Sequence, residues 1–127
     1  MLMLALALLA APVDVSNSYR IDAPAVVKVK KGAAAQAVIS VVPRADAHVS
    51  PDAPISLTMT SGPSVTLTKA KLGRPEAKET QAKGVEFAVP FTATSSGELK
   101  GALSFFICTE KLCERQKREI AVRIDAE

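Results

Sequence analysis

Apolar and polar residues alternate along most of this chain with the period of two that marks half-buried β-strands. In the run 85–91, Val85, Phe87, Val89 and Phe91 share one face, and their burial is the firmest core expectation in the sequence. Ile55-Ser56-Leu57-Thr58-Met59-Thr60 alternates as strictly, and Met59 belongs with Leu57 and Ile55 on the apolar face. Ser61-Gly62-Pro63-Ser64 breaks that strand, and Val65-Thr66-Leu67-Thr68 resumes the pattern.

Earlier in the chain, residues 13–24 read as a lead-in or edge strand, with Tyr19 and Ile21 their bulky apolar residues after Val15. Val27-Lys28-Val29-Lys30 alternates up to the turn signal Lys31-Gly32, and its lysines suit an edge that must not pair with another sheet. Ala35 to Arg44 carries Ala37, Ile39 and Val41 on one face and Val38 and Val42 on the other, which predicts a more central strand ending at Pro43. Residues 45–54 read as a loop, and the charged stretch Lys69 to Lys83, which lacks an apolar stripe, as a long solvated one.

After the turn at Thr94-Ser95-Ser96-Gly97, an apolar run climbs from Leu99 into Phe105-Phe106-Ile107-Cys108. Four polar-to-apolar residues follow, then Cys113, and the chain alternates again through Ile120-Ala121-Val122-Arg123-Ile124. That is a β-hairpin with a cysteine on each arm. The pattern amounts to about seven to nine short strands, no convincing helix and no repeat, which predicts an all-β, immunoglobulin-like antiparallel sandwich. The Cys...Trp...Cys spacing that pins true immunoglobulin domains is missing, since Trp is absent.

Composition agrees with this outline. With 48% hydrophobic residues in 127, the chain can bury a core without metal or many cross-links, so a disulfide is not required for folding. The net charge of +3 is mild, and Lys and Arg are interleaved with Glu and lack stacking aromatics, so a nucleic-acid partner has no support. Met1 to Ala11 is an unbroken apolar run, too short for a membrane helix of about 20 residues. It reads as a secretory signal peptide cleaved near Ala10 or Ala11, leaving 12–127 as a single β-sandwich domain in the periplasm or outside the cell. No membrane span is expected in the mature chain.

Export bears on the cysteines, because an oxidising compartment lets two nearby thiols form a disulfide. Opposed on adjacent strands, Cys108 and Cys113 would lie about 4.5–5.5 Å apart at Cα, within bridging range. Closing so small a ring is worth roughly 2 kcal/mol, so the bond is a weak staple. A hairpin tip is also where a partner's thiolate can reach a sulfur. Lys111 and Arg115 favour a thiolate there and Glu110 and Glu114 oppose it. From the residues alone, a redox-exchange pair and a structural clip stand equal.

The segment resembles the cysteine hairpin of the N-terminal periplasmic domain of DsbD-type thiol:disulfide interchange proteins, an immunoglobulin-like domain that relays electrons to partner oxidoreductases. The likeness covers roughly Val27 to Ile124 and rests on several features. They are the apolar strand leading into Cys108-Thr109-Glu110-Lys111-Leu112-Cys113, the strand Phe87-Ala88-Val89-Pro90-Phe91, Gly97, the alternation through Ile124, and His48-Val49 before a Pro-containing loop. It implies that Cys108 and Cys113 are a redox-active pair, one attacked in a mixed disulfide with a thioredoxin-like partner and the other resolving it. The family's aromatic cap loop has no aromatic counterpart between Leu72 and Lys83, and Glu114-Arg115-Gln116-Lys117-Arg118 stands where a Pro-rich segment is common. The chain runs 14 residues past Cys113, and the expectation is a stand-alone module served by separate proteins.

The alternative is a non-catalytic immunoglobulin-like binding or assembly domain with a local disulfide. Cys108, Cys113 and His48, the single histidine, make a poor zinc or copper signature, so no metal is expected. No phosphate loop or other cofactor motif is present.

Overall fold

The computed structural model describes residues 15–127, and the leader expected over Met1 to Ala11 lies outside them. The described chain forms eleven strands, two short 3-10 helices and no α-helix. In order they are β1 (Tyr19–Asp22), β2 (Val26–Val29), β3 (Ala35–Pro43), β4 (His48–Val49), β5 (Ser56–Ser61), β6 (Val65–Leu67), β7 (Lys71–Leu72), β8 (Lys78–Glu79), β9 (Val85–Ala93), β10 (Gly97–Cys108) and β11 (Cys113–Ala126).

One sheet runs β1-β3-β9-β6, with β8 also on β9; the other runs β2-β11-β10-β5-β7, with β4 also on β10. These are the ABED and GFC orders of an immunoglobulin domain, with the first strand divided between the two sheets. The fold is therefore the all-β, immunoglobulin-like sandwich that the alternation predicts. β1 pairs antiparallel with β3, the chain crosses over at 23–25, and β2 then pairs parallel with the last residues of β11, Arg123 to Ala126.

Period two decides what each strand buries. Val85, Phe87, Val89, Phe91 and Ala93 of β9 meet Ala37, Ile39 and Val41 of β3 on the inner face of one sheet. Leu57 and Met59 of β5, Leu99, Leu103, Phe105 and Ile107 of β10, and Val122 and Ile124 of β11 fill the other. Tyr19 of β1 closes the gap between the sheets, its ring edge-on to Phe105 at 5.0 Å and its hydroxyl donating to Gln116 Oε1 at 2.8 Å. Pro90, in the middle of β9, costs no ladder bond. Its carbonyl accepts from Thr68 at 3.1 Å, so its missing N–H faces the gap between β6 and β8.

The stretch Lys69 to Lys83 departs from the expected loop. It forms β7, a 3-10 helix at Arg74–Glu76 and β8, and buries Leu72 beside Leu57. One apolar residue in a two-residue strand leaves no periodicity to read. Likewise β4 interrupts the expected loop 45–54, with Val49 buried. Gly84 is required where the end of this stretch passes β3, since a Cβ there would stand 2.0 Å from the Val41 carbonyl oxygen.

Candidate functional site

β10 and β11 pair without interruption from Gly97–Ile124 to Cys108–Cys113, so the cysteines close the ladder directly opposite each other. Thr109 N–H donates to the Leu112 carbonyl at 2.8 Å, which makes 109–112 a hydrogen-bonded pair and 108–113 the more closely spaced, non-bonded kind. The Cα atoms stand 3.9 Å apart, closer than the sequence expectation, and the two sulfurs are joined at 2.01 Å. Because Phe105, Ile107, Val122 and Ile124 face the core, the opposite parity sends both cysteine side chains to the outer face of the sheet.

The pair is unequal. Cys108 is 3% exposed, whereas Cys113 is exposed along with Glu110, Lys111 and Leu112. Cys108 lies inside the sheet, with Cys113 on one side and His48 of β4 in register on the other. Cys113 begins a strand whose side away from β10 no described strand pairs with at that level. The hairpin tip that the sequence predicts to be exposed is thus exposed on one arm.

The β4 side is walled. Ser50 N–H donates to the Phe106 carbonyl at 2.9 Å, and Val49 N–H to the Lys83 carbonyl at 2.9 Å, so β4 ties the hairpin to the turn 80–84. In that turn Lys83 adopts a φ of 64°, a left-handed conformation uncommon for a residue with a Cβ. The Arg74 guanidinium donates to the carbonyls of Ser50 and Ala53, fixing the loop after β4. Glu76 closes the 3-10 turn by accepting from Gly73 N–H at 2.8 Å, and it pairs with Lys69 at 3.3 Å. The Gly73 hydrogen bond, ahead of the Lys69 charge, holds its carboxyl below the usual glutamate range. Within the wall itself lies an open cleft of ≈ 340 Å³, lined among others by His48, Pro51, Arg74, Glu79, Lys83 and Gly84.

His48, which the sequence places in a loop, thus stands beside the disulfide. Its neighbourhood follows from the two-residue strand β4, which has no local signature beyond His48-Val49 itself. No group of three His, Cys, Asp or Glu residues arranged to hold a metal occurs among the described residues. None of their helices is long and apolar enough to cross a membrane. Chemically, the arrangement presents one exposed cysteine residue joined to a buried one.

Against models of known protein families, and against curated protein sequences, the chain has no significant match. Solved structures do resemble it in shape. The major subunit AggA of Escherichia coli aggregative adherence fimbriae type I is 11% identical, covering 86% of this chain and 94% of its own, with a TM-score of 0.46. A PapD-like domain of human CEP192 is 6% identical, covering 100% and 97%, with a TM-score of 0.49. A cohesin module from a Clostridium perfringens family 33 glycoside hydrolase is 12% identical, covering 87% and 98%, with a TM-score of 0.44. The sandwich assignment rests on the strand order, independently of these likenesses.

Proposed function

We propose that this chain is an exported thiol:disulfide exchange module, periplasmic or secreted, that passes electrons through Cys108–Cys113 to or from a thioredoxin-like partner, in the manner of the DsbD-type N-terminal domain its sequence resembles. The observation that carries the reading is the unequal exposure of the two sulfur-bearing residues at the tip of a rigid hairpin. Exchange needs one sulfur within reach of an incoming thiolate and a second held beside it.

In the reducing direction, a partner thiolate attacks Sγ of Cys113. The intramolecular S–S bond breaks, a mixed disulfide forms on Cys113, and Cys108 leaves as a thiolate that takes up a proton. The partner's second thiolate then attacks its own sulfur in the mixed disulfide, releasing Cys113 as a thiolate that is protonated in turn. Two electrons and two protons have moved to this protein, and the partner ends oxidised. Leu112, 40% exposed next to Cys113, offers the partner an apolar contact at the point of attack.

The test is a redox titration of the pair together with trapping. A Cys108→Ser variant is expected to hold a thioredoxin-like protein in a stable mixed disulfide through Cys113, and Cys113→Ser to do so poorly. A potential below about −300 mV, the range of structural disulfides, with no adduct from either variant, would overturn the reading in favour of a binding or assembly domain with a local clip.

A further inference from the structure

The exposed cysteine opens a long unpaired edge. Of β11, which spans Cys113–Ala126, β2 covers Arg123 to Ala126, and no described strand pairs with the residues before them on that side. The parity of the ladder tells which backbone groups are left over. Leu112 points its carbonyl at Thr109 of β10, whereas Arg123 turns its N–H outward to the Ala25 carbonyl at 2.9 Å. The alternation between them directs the N–H and C=O groups of Cys113, Arg115, Lys117, Glu119 and Ala121 away from β10. Two of those carbonyls have partners in side chains of the same strand: Gln116 Nε2 donates to Arg115 O at 3.0 Å, and Arg118 Nη1 to Lys117 O at 3.2 Å. Both donors come from the strand itself, so the edge is dressed without being covered.

Such a row of groups is a template for another strand. We propose that the edge from Cys113 to Ala121 receives, as an added strand, an extended acidic segment that lies beside the redox partner's reactive cysteine, so that backbone register brings the partner's thiol to Cys113. The proposal rests on the exchange reading above. Two observations favour this occupant. The unpaired edge begins at the exposed cysteine itself, so a strand laid along it arrives at Cys113 without further positioning. The next outer-face side chains along β11, Arg115, which donates to Ser104 Oγ at 3.2 Å, and Lys117, are exposed cations outside every ion pair among the described residues, with Glu119 beyond them, and they complement carboxylates a few positions from the partner's cysteine.

Proline tests the edge directly. Lys117→Pro removes one outward N–H and leaves the bonds to β10 in place, as edge positions permit. The readout is the rate at which the full chain's disulfide is reduced by a reduced thioredoxin-like protein, set against the rate with dithiothreitol, which needs no docking strand. The expected result is a loss of about tenfold with the protein reductant, the scale of a lost backbone hydrogen bond, and an unchanged rate with dithiothreitol. Arg115→Glu with Lys117→Glu, which keeps the backbone intact, is expected to slow the protein reaction selectively and to reduce its salt dependence. Equal protein rates in both variants and the parent would overturn the added strand while leaving the exchange reading standing. A parent disulfide that yields to dithiothreitol and never to the protein would remove the exchange reading and the proposal with it. A dimer that Lys117→Pro converts to monomer, with exchange rates unaltered, would assign the edge to a second copy of the chain and overturn the proposal.

Discussion

The two flanks of the cysteine hairpin are built differently. On the β10 side, β4, the turn 80–84 and the Arg74 guanidinium form a hydrogen-bonded wall, and the cysteine next to it is buried. On the β11 side, no described strand flanks the tip, and the cysteine there is exposed. One disulfide therefore joins an environment where sulfur is shielded to one where it is open. The lesson is that the exposure of such a pair is set by which strands stop short of it, more than by the residues between the cysteines.

The largest disturbance should come from the base common to both flanks. Phe105→Ala removes a fully buried ring that meets Tyr19 edge-on, and a loss of about 3–5 kcal/mol is expected in a denaturant titration. Both flanks would loosen together, so this variant tests whether they share a base and cannot separate them. Gly84→Ala attacks the wall alone. The new methyl meets the Val41 carbonyl, and the cost should reach the upper end of overpacking, about 3 kcal/mol. With it, the burial of Cys108 should fall, measured as faster alkylation of its thiol in a Cys113→Ser background; an unchanged rate would mean that the wall does not shelter the sulfur.

Cutting the link between the flanks is expected to matter less. Cys108→Ser with Cys113→Ser opens a ring whose ends are only 5 positions apart, at about 2 kcal/mol, and strand pairing from Gly97–Ile124 up to Ile107–Glu114 should persist in amide hydrogen exchange. The smallest effect is titratable. Glu76 has a folded-state pKa below its unfolded value, so its contribution is present above the unfolded pKa and disappears as the pH falls through the folded one. Stability curves of the parent and Glu76→Gln should accordingly differ at neutral pH and converge in acid. Curves that stay parallel at all pH values would deny Glu76 this role in the wall.

Much of this was readable from alternation. Val85 to Phe91, Ile55 to Met59 and the hairpin from Gly97 to Ile124 all bury the face that period two selects, because each strand is long enough to show its period. The opposition of Cys108 and Cys113 was readable for a local reason: few residues separate them on one hairpin. The wall was not. Leu72 and Val49 are single buried residues in two-residue strands, and their places depend on Leu57 and Ile107, which are distant in sequence. The inequality of the cysteines escaped for the same reason, since it depends on where β4 lands and where β2 ends. His48 beside Cys108 is a consequence of that landing, and only its place in the Cys hairpin resemblance hinted at it.

The crossover at 23–25 sets a dimension. By leaving one sheet for the other late along the hairpin, the chain determines where β2 begins and hence how many residues of β11 remain bare. A crossover placed earlier in the sequence would extend β2 toward the tip and shorten the bare edge, with the cysteines and their loop untouched. The first strand is thus a gauge for the length of bare edge, and under the docking proposal, insertions or deletions at the opposite end of the chain from the cysteines would change how much strand a partner can add while leaving the cysteine pair as it is.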